Sequence, residues 1–288
     1  MKKFIAVILF ISVAFASNAD ELLNNLSGKV SEFAAGLVPG EGITEVDIKF
    51  TEQNEPSYSI LAVRDINKTD STNLFTQFSI LNTDISSDER TTLNLGLGYR
   101  LLSDDESMMV GFNSFIDTEL SNGHQRGSVG FEAKGAVLDF SANYYVPLTL
   151  REKVEGTYEQ SIGGTDWNLF SQVPYMPWAK FGFSGYRLHR DKASNDTIGR
   201  IYTMNMALTP TLELDISRDK DIASSDGVTS GKLTFVYPPK DNKPTLADGF
   251  TSDEMWHKES MKNKLSEKVR RKNNLTVEIQ GAVIFTKK

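Results

Sequence analysis

From residue 45 to residue 237 the sequence is a succession of short segments in which apolar and polar residues alternate. In residues 91–100, leucines and a tyrosine occupy every second position, while threonine, asparagine, glycine and arginine occupy the others. Because side chains two apart share one face of a strand, this period predicts strands with one apolar and one polar face. We count twelve such segments: residues 45–50, 57–66, 74–81, 91–100, 108–117, 126–134, 136–146, 166–173, 180–188, 199–208, 211–217 and 232–237.

Alternation alone fits both a soluble sandwich and a membrane barrel, so the connections between the segments decide. In the second half, tight turns alternate with longer polar connections: the turns lie at Gly135, Met176-Pro177 and Pro210, and the connections at residues 120–125, 148–165, 190–198 and 219–228. Short turns at one end and long loops at the other are typical of outer-membrane barrels. The hydrophobic fraction of 39% is low for a soluble protein with a large core but enough for an outward apolar band. An even strand number predicts that both chain ends lie on the side of the short turns, the periplasm.

The first residues have the pattern of an export signal. Lys2 and Lys3 precede an apolar run over residues 4–13, and small residues follow it. We predict a signal peptide over residues 1–19, cleaved after Ala16 or Ala19; a membrane-anchoring helix is the alternative, although the run is short for a span. Residues 20–44 are then a periplasmic segment that begins with a short amphipathic helix, and the protein is expected in the outer membrane of a Gram-negative bacterium. The chain has no cysteine, which is compatible with export to an oxidising compartment.

The pattern changes after the last strand. Residues 251–271 predict a helix, because Thr251 and Glu254 have the spacing of a capping box. This helix has many basic residues and few apolar ones, so it suits a solvated surface or a polar cavity rather than a hydrophobic core. Residues 273–284 alternate again and predict an extended segment.

Several blocks of the sequence resemble the inverse autotransporter β-domain, the translocation unit of intimin and invasin. The first comprises residues 74–79, Asp84 and the run Asn94 to Arg100, which is the most specific part. Further blocks are residues 109–117 with Gly123, His124 and Arg126; Tyr158 and Glu159 with Trp167 and Pro174; and residues 269–278. The resemblance covers roughly residues 45–279.

The resemblance implies an all-β, twelve-stranded antiparallel transmembrane barrel over residues 45–237. It further implies a plug helix in residues 238–272 that returns into the lumen, and an extended linker or stub over residues 273–288. The implied functional residues form four groups: plug cations Lys258, Lys262, Lys264, Lys268 and Arg271; lumenal acids Asp139, Glu213 and Asp215; linker residues Asn273, Asn274 and Glu278; and motif-strand residues Asn94, Gly96, Gly98, Tyr99 and Arg100.

The function implied is a translocator that exports or anchors a C-terminal segment at the cell surface. Family members usually carry long surface domains after the linker, whereas about ten residues follow Glu278 here, so we expect a translocator without a passenger. A passive plugged pore or structural barrel is the alternative, and an adhesin acting through residues 148–165 is a third reading. Expected partners are outer-membrane lipid, the barrel assembly machinery, periplasmic chaperones and a second copy in a homodimer. The net charge of −7 argues against nucleic acid.

Residues capable of catalysis or metal binding are few. The chain has three histidines, and Asp117, His124, His189 and Asp191 could imitate the rim site of a barrel hydrolase, although solvated loop residues are the favoured interpretation. Asp104, Asp105 and Glu106 could hold calcium weakly, and a solvated turn is favoured there. We therefore expect no catalytic residue, no cofactor and no metal.

Overall fold

The computed structural model describes residues 36, 39–52, 56–85, 88–149, 151–154, 156–191, 195–222, 227–279 and 282–284. The expected signal peptide lies outside these residues, as does nearly all of the short helix expected after it. Within the described residues, no helix is long and apolar enough to cross a membrane.

Twelve antiparallel strands close into a barrel, as predicted. Around the barrel each strand pairs with its neighbours in the chain, and β1 closes the circle against β14, where Val46 lies opposite Phe235. The barrel strands are β1 (Gly42–Thr51), β2 (Ser57–Lys68), β3 (Thr72–Ile85), β4 (Asp88–Leu102), β5 (Met108–Glu119), β6 (Gln125–Gly135), β7 (Leu138–Pro147), β10 (Gly164–Val173), β11 (Met176–Leu188), β12 (Thr197–Thr209), β13 (Leu212–Asp221) and β14 (Val228–Tyr237). The prediction of twelve strands in this order is confirmed.

The alternation in the sequence sorts the side chains between the two faces of the wall. On β4 and β5, Leu95 and Phe112 face outward and are each 58% exposed, while Asn94 and Asp117 face the lumen and are buried. An apolar exterior with a polar interior is the pattern of a membrane-spanning barrel and the inverse of a soluble one. Many of the polar side chains inside, such as Asn94 and Asp117, have partners on the wall and on the C-terminal segment.

The two ends of the barrel differ. Short turns join the strands at the end where β1 begins and β14 finishes, and we call this the turn end. Connections at the other end, which we call the loop end, include the long residues 148–163. Within that connection lie two strands absent from the sequence-based prediction, β8 (Glu152–Val154) and β9 (Thr157–Ser161). They form a second sheet with β15 (Val277–Ile279) and β16 (Ala282–Ile284), in the order β16-β15-β9-β8.

The prediction of a helix over residues 251–271 is wrong. Residues 238–260 run irregularly across the turn end, with only a 3-10 turn at Leu246–Asp248. A six-residue 3-10 helix, Met261–Ser266, then leads into an extended segment that runs to β15. The plug helix expected within residues 238–272 is therefore replaced by a short 3-10 helix and extended chain.

The reason lies in the partners of the backbone. An α-helix forms when its amides and carbonyls have no better partners than one another, but wall side chains supply partners here. Gln77 accepts from the Val269 amide at 2.8 Å, and Asn143 donates to the Arg270 carbonyl at 3.0 Å. A capping-box spacing and a helical charge pattern carry no information about such distant partners.

Candidate functional site

The C-terminal segment passes through the barrel from one end to the other. At the turn end the Met261 amide donates to the Glu106 carbonyl at 2.9 Å. At the loop end the Thr276 carbonyl accepts from the Ile162 amide at 3.1 Å. Residues 261–276, which we call the lumenal segment, therefore thread the barrel, and this segment with the wall that holds it is the candidate functional site.

Near the turn end, Arg100 of β4 holds the segment by its backbone. Its guanidinium donates to the carbonyls of Leu265 at 2.9 Å and Glu267 at 2.6 Å, and to the Glu132 carboxylate at 2.7 Å. Arg100 is 0% exposed, and it stacks 4.2 Å above the centroid of the Phe75 ring. An ion pair to the wall neutralises the guanidinium, so it can bind carbonyls in a dry interior without an unpaired charge.

Halfway along, a buried charge cluster joins the segment to β5 and β6. The Asp117 carboxylate accepts from Arg126 of the wall at 2.8 Å and from Arg271 of the segment at 2.7 Å. Arg126 also donates to the Lys272 carbonyl at 2.8 Å. Two guanidinium groups share one carboxylate, so removing Asp117 would leave both charges buried without a counter-ion.

Two glycines of the motif strand make room for this arrangement. A Cβ atom at Gly96 would lie 2.2 Å from the Phe115 ring, and one at Gly98 would lie 2.3 Å from the Phe75 ring. The rings therefore lie flat against the glycine backbone, and Arg271 stacks 4.3 Å above the centroid of Phe115. Because these glycines have no side chain, the phenylalanine rings can take the positions on which the arginines stack.

Next to this wall, hydrogen bonds from the neighbouring strands β7 and β10 hold the same stretch. The Lys272 amide donates to the Tyr145 hydroxyl at 2.8 Å and to the Asp166 carboxylate at 3.2 Å. Tyr145 in turn donates to Asp166 at 2.6 Å. This stretch of the segment is thus held by consecutive strands from β4 to β10.

The structure distributes the sequence-predicted plug cations unevenly. Lys264 lies 3.3 Å from Asp139, Lys268 contacts Glu45, and Arg271 pairs with Asp117. Lys262 instead reaches Asp70 of a turn at 2.6 Å, and Lys258 is exposed.

The other two expected lumenal acids have different partners. Glu213 lies 3.1 Å from both Lys240 and Lys243. These two lysines belong to residues 238–260, which cross the turn end. Asp215 lies 3.1 Å from Lys232 of the neighbouring strand. Of the three acids, only Asp139 forms an ion pair with a plug cation named by the sequence.

The remaining motif-strand and linker residues lie along the path or at its exit. Asn94 donates to the Asn273 carbonyl at 3.0 Å, while Tyr99 faces outward. Asn274 follows Asn273 within the lumenal segment. Beyond the lumen, Glu278 on β15 accepts from Gln160 at 3.0 Å and from the Asp191 amide at 3.1 Å.

At the loop end, a buried ion-pair cluster anchors the β8–β9 hairpin to the barrel rim. Arg90 lies 2.8 Å from Glu159 of β9, and His124 Nε2 lies 3.2 Å from the same carboxylate. Burial raises the pKa of Glu159, but the hydrogen bonds and charges of Arg90 and His124 together outweigh it and hold the pKa below its ordinary value. The hairpin therefore carries a charged anchor at neutral pH.

The residues that could imitate a rim hydrolase are not brought together. His124 pairs with Glu159, Asp117 with the two arginines, and His189 with Asp196 at 3.3 Å. Among the described residues, no cluster of histidine and carboxylate side chains has the arrangement of a metal site. A cavity of about 210 Å³ lies beside the segment near the turn end, lined by charged residues that include Lys134, Lys180 and Glu213.

Comparison with known proteins identifies the family. Residues 21–273 match the model of the inverse autotransporter β-domain. The chain belongs to this family. Membership and the threaded barrel together make it an outer-membrane β-barrel of the inverse autotransporter, invasin-like type.

Curated members of the inverse autotransporter family match parts of the chain. A putative attaching and effacing protein homolog of Escherichia coli K12 is 35% identical over 114 residues, covering 38% of this chain and 36% of that protein. Invasin of Yersinia enterocolitica is 32% identical over 121 residues, covering 40% of this chain and 14% of invasin. The matches thus span about a third or less of these relatives' length.

Solved structures share the fold. One, from a study of the in-meso crystallization of membrane proteins, has a TM-score of 0.65 at 19% identity and covers 83% of this chain and 99% of its own. An outer membrane channel of Pseudomonas putida F1 has a TM-score of 0.51 at 10% identity and covers 69% of this chain and 97% of its own.

The sequence did not predict that several residues hold the segment, or anchor the β8–β9 hairpin, in this inverse autotransporter barrel. They are Gln77, Arg90, Asp117, Arg126, Glu132, Asn143, Tyr145, Glu159 and Asp166. Those on the barrel wall occupy lumen-facing positions of the alternating strands. The period of two residues in the sequence could therefore have identified them as lumen-facing. Charged or amide side chains on that face need partners, and the C-terminal segment is one source of them.

Proposed function

We propose that this barrel exports its own C-terminal segment through the lumen and anchors it at the cell surface. The observation that carries the proposal is the lumenal segment, which enters at the turn end and leaves at the loop end to form β15. We assign the turn end to the periplasm and the loop end to the outside, because outer-membrane barrels have short periplasmic turns and long external loops.

The work of export can come from folding outside the membrane, since the periplasm offers no ATP. On leaving the lumen, residues 277–279 pair with the exposed edge of β9, with Val277 opposite Ser161 and Glu278 opposite Gln160. An edge strand is a template for a second chain. Each residue pair formed between β15 and β9 outside the membrane opposes backward movement of the chain. The edge of β9 thus binds the emerging chain. No step needs a catalytic group.

A disulfide across this pairing tests the direction of the thread. The natural chain has no cysteine, so Ser161→Cys with Val277→Cys introduces the only two. In intact cells we expect the pair to oxidise, and a membrane-impermeant reductant to open it. A pair shifted in register, Ser161→Cys with Ile279→Cys, is the control and should cross-link poorly.

A disulfide that the impermeant reductant cannot reach until the outer membrane is permeabilised would overturn the proposal. A peptide tag placed after Lys288 gives an independent readout. Antibody should reach this tag in intact cells, and a tag reached only after permeabilisation would also contradict export.

A passive plugged pore is the second candidate. The cavity of about 210 Å³ beside the segment favours it, because it shows that the segment leaves part of the lumen unfilled at the turn end. In this case the lumenal segment would serve as a stopper rather than as cargo.

We further propose the partners that this class of protein requires. Periplasmic chaperones would deliver the chain, and the barrel assembly machinery would insert it. Outer-membrane lipid would surround the folded barrel, and a second copy would join it in a homodimer. Cross-linking of the nascent barrel in the periplasm, followed by mass spectrometry, tests the first two.

A further inference from the structure

The outward face of the barrel carries a basic cluster at the loop end. On neighbouring strands β11, β12 and β13, Arg187, Arg200, Arg218 and Lys220 all point away from the lumen and are exposed. Among the other barrel strands described, only Arg64 is an outward cation within the regular pleat, and it lies at the turn end. The cluster is therefore concentrated on one side of the barrel and at one height.

Two of these cations are direct cross-strand neighbours. Arg200 lies opposite Lys220 in the antiparallel register, and Arg218 lies on the same face two residues from Lys220. Like charges directly opposite each other on a sheet destabilise it. Among the residues the structure describes, neither Arg200 nor Lys220 has an ion pair with an acidic side chain, whereas Arg187 pairs with Asp196 at 2.6 Å. An anion bound between Arg200 and Lys220 would relieve their repulsion.

Aromatic side chains lie next to the cluster on the same outward face and indicate its height in the membrane. Trp167 packs edge-on against Phe183 with 5.0 Å between centroids, and Phe183 stacks on Tyr202 at 5.2 Å. Outward aromatic residues of a barrel mark the boundary between hydrocarbon and headgroups. Arg218 lies directly opposite Tyr202, and Arg200 and Lys220 lie two residues further toward the loop end on the same two strands. The cations therefore lie at and just beyond the aromatic side chains, at the level of the headgroups.

We propose that Arg200, Arg218 and Lys220 form a binding site for the phosphate groups of the phosphorylated glycolipid of the outer leaflet, lipopolysaccharide. Guanidinium groups match phosphate oxygens in charge and geometry, and the aromatic cluster below would contact the acyl chains of the same molecule. Arg187 is at the edge of the site. The proposal rests on the orientation given in the proposed function, but not on export.

Lipid binding to the purified full-length barrel tests this inference. The protein would be folded in detergent and titrated with diphosphoryl lipid A, with the same lipid after removal of its phosphates, and with phosphatidylglycerol. Retained lipid would be counted by native mass spectrometry. We expect diphosphoryl lipid A to bind best, and Arg200→Gln with Lys220→Gln to weaken its binding about tenfold or more, since two charge-assisted contacts are lost.

The matched control removes two cations from the same end but not from the wall. Arg151→Gln with Lys153→Gln lies on and beside β8, and it should leave lipid binding unchanged. Heat-modifiable migration on gels would show that each variant is folded. Inorganic phosphate at the concentration of the lipid should not displace it.

Equal binding of the phosphorylated and dephosphorylated lipids would overturn the proposal, as would an equal loss in the control. Displacement by inorganic phosphate would indicate a site for a free anion instead. A preference for phosphatidylglycerol over diphosphoryl lipid A would also overturn the proposal. Failure of export with intact lipid A binding would affect only the proposed function.

Discussion

At the scale of single residues, the candidate site depends on a layered contact between glycine, phenylalanine and arginine. Gly96 allows the Phe115 ring to lie against the strand, and Arg271 stacks on the other face of that ring. The same order repeats with Gly98, Phe75 and Arg100. Each layer positions a guanidinium group that binds the lumenal segment or belongs to it.

Replacement of Gly96 by alanine tests the layered contact. The added Cβ would lie 2.2 Å from the Phe115 ring, which cannot move freely because Arg271 covers it. We expect the free energy of unfolding in detergent micelles to fall by about 1–3 kcal/mol, the usual cost of overpacking. Gly127→Ala is the control, since its Cβ would meet Leu148 at an ordinary 3.5 Å. An equal effect in both variants would argue against the layered contact.

Replacement of Asp117 by alanine tests the buried charge cluster. Arg126 and Arg271 would lose the carboxylate that both contact, at 2.8 and 2.7 Å, while remaining in a dry lumen. Breaking a buried pair in this way costs about 3–5 kcal/mol, so the unfolding free energy in urea should fall by that order. Asp70→Ala removes the exposed partner of Lys262 and should give no measurable change. A neutral effect of Asp117→Ala would mean that the arginines find other partners.

At the scale of elements, the lumenal segment is held by side chains from many strands rather than by structure of its own. The described part of the segment contains only the 3-10 helix Met261–Ser266, and its other backbone groups turn to the wall. Its apolar side chains Met261, Leu265 and Val269 are also buried in clusters with apolar residues of the wall. Its removal should therefore open a water-filled path.

Deletion of residues 261–288 tests whether the segment closes the pore. We expect single-channel conductance in planar bilayers to rise well above that of the full chain, because the lumen wall is polar and would fill with water. A truncation that removes only residues 280–288 keeps the lumenal segment and should conduct like the full chain. If the longer deletion folds and its conductance is unchanged, the wall itself closes the lumen.

At the scale of the whole molecule, the barrel joins a rigid wall to a chain that leaves at one end. The wall holds an extended segment, and the cavity of about 210 Å³ beside that segment is far too small for a folded domain. A passing chain must therefore be unfolded, and its folding must follow at the loop end.

A fused reporter domain tests this requirement. A domain attached after Lys288 should appear on the surface of intact cells when it can stay unfolded in the periplasm. The same domain locked by an internal disulfide should remain periplasmic, and reductant should restore its export. Surface exposure of the locked domain would show that the barrel widens or that export takes another route. Protease accessibility in intact cells distinguishes the outcomes.

Much of this architecture follows from the sequence alone. The period of two in residues 45–237 determined the strands, their number and the polar lumen, because alternation is a local property of each strand. The uneven turn lengths distinguished the turn end of the barrel from its loop end. The blocks around Asn94 to Arg100 indicated the family. Gly96 and Gly98 belong to that run, but the phenylalanine rings that lie against them come from other strands.

The course of residues 251–279 was decided only by the tertiary structure. Local signals favoured a helix, since the spacing of Thr251 and Glu254 and the charge pattern are helical. The partners that overruled them are distant in the chain: Arg100 reaches the Glu267 carbonyl, and Asn143 reaches that of Arg270. The pairing of β15 with β9 is equally non-local. A backbone group binds the best partner within reach, and only a closed barrel brings these partners within reach.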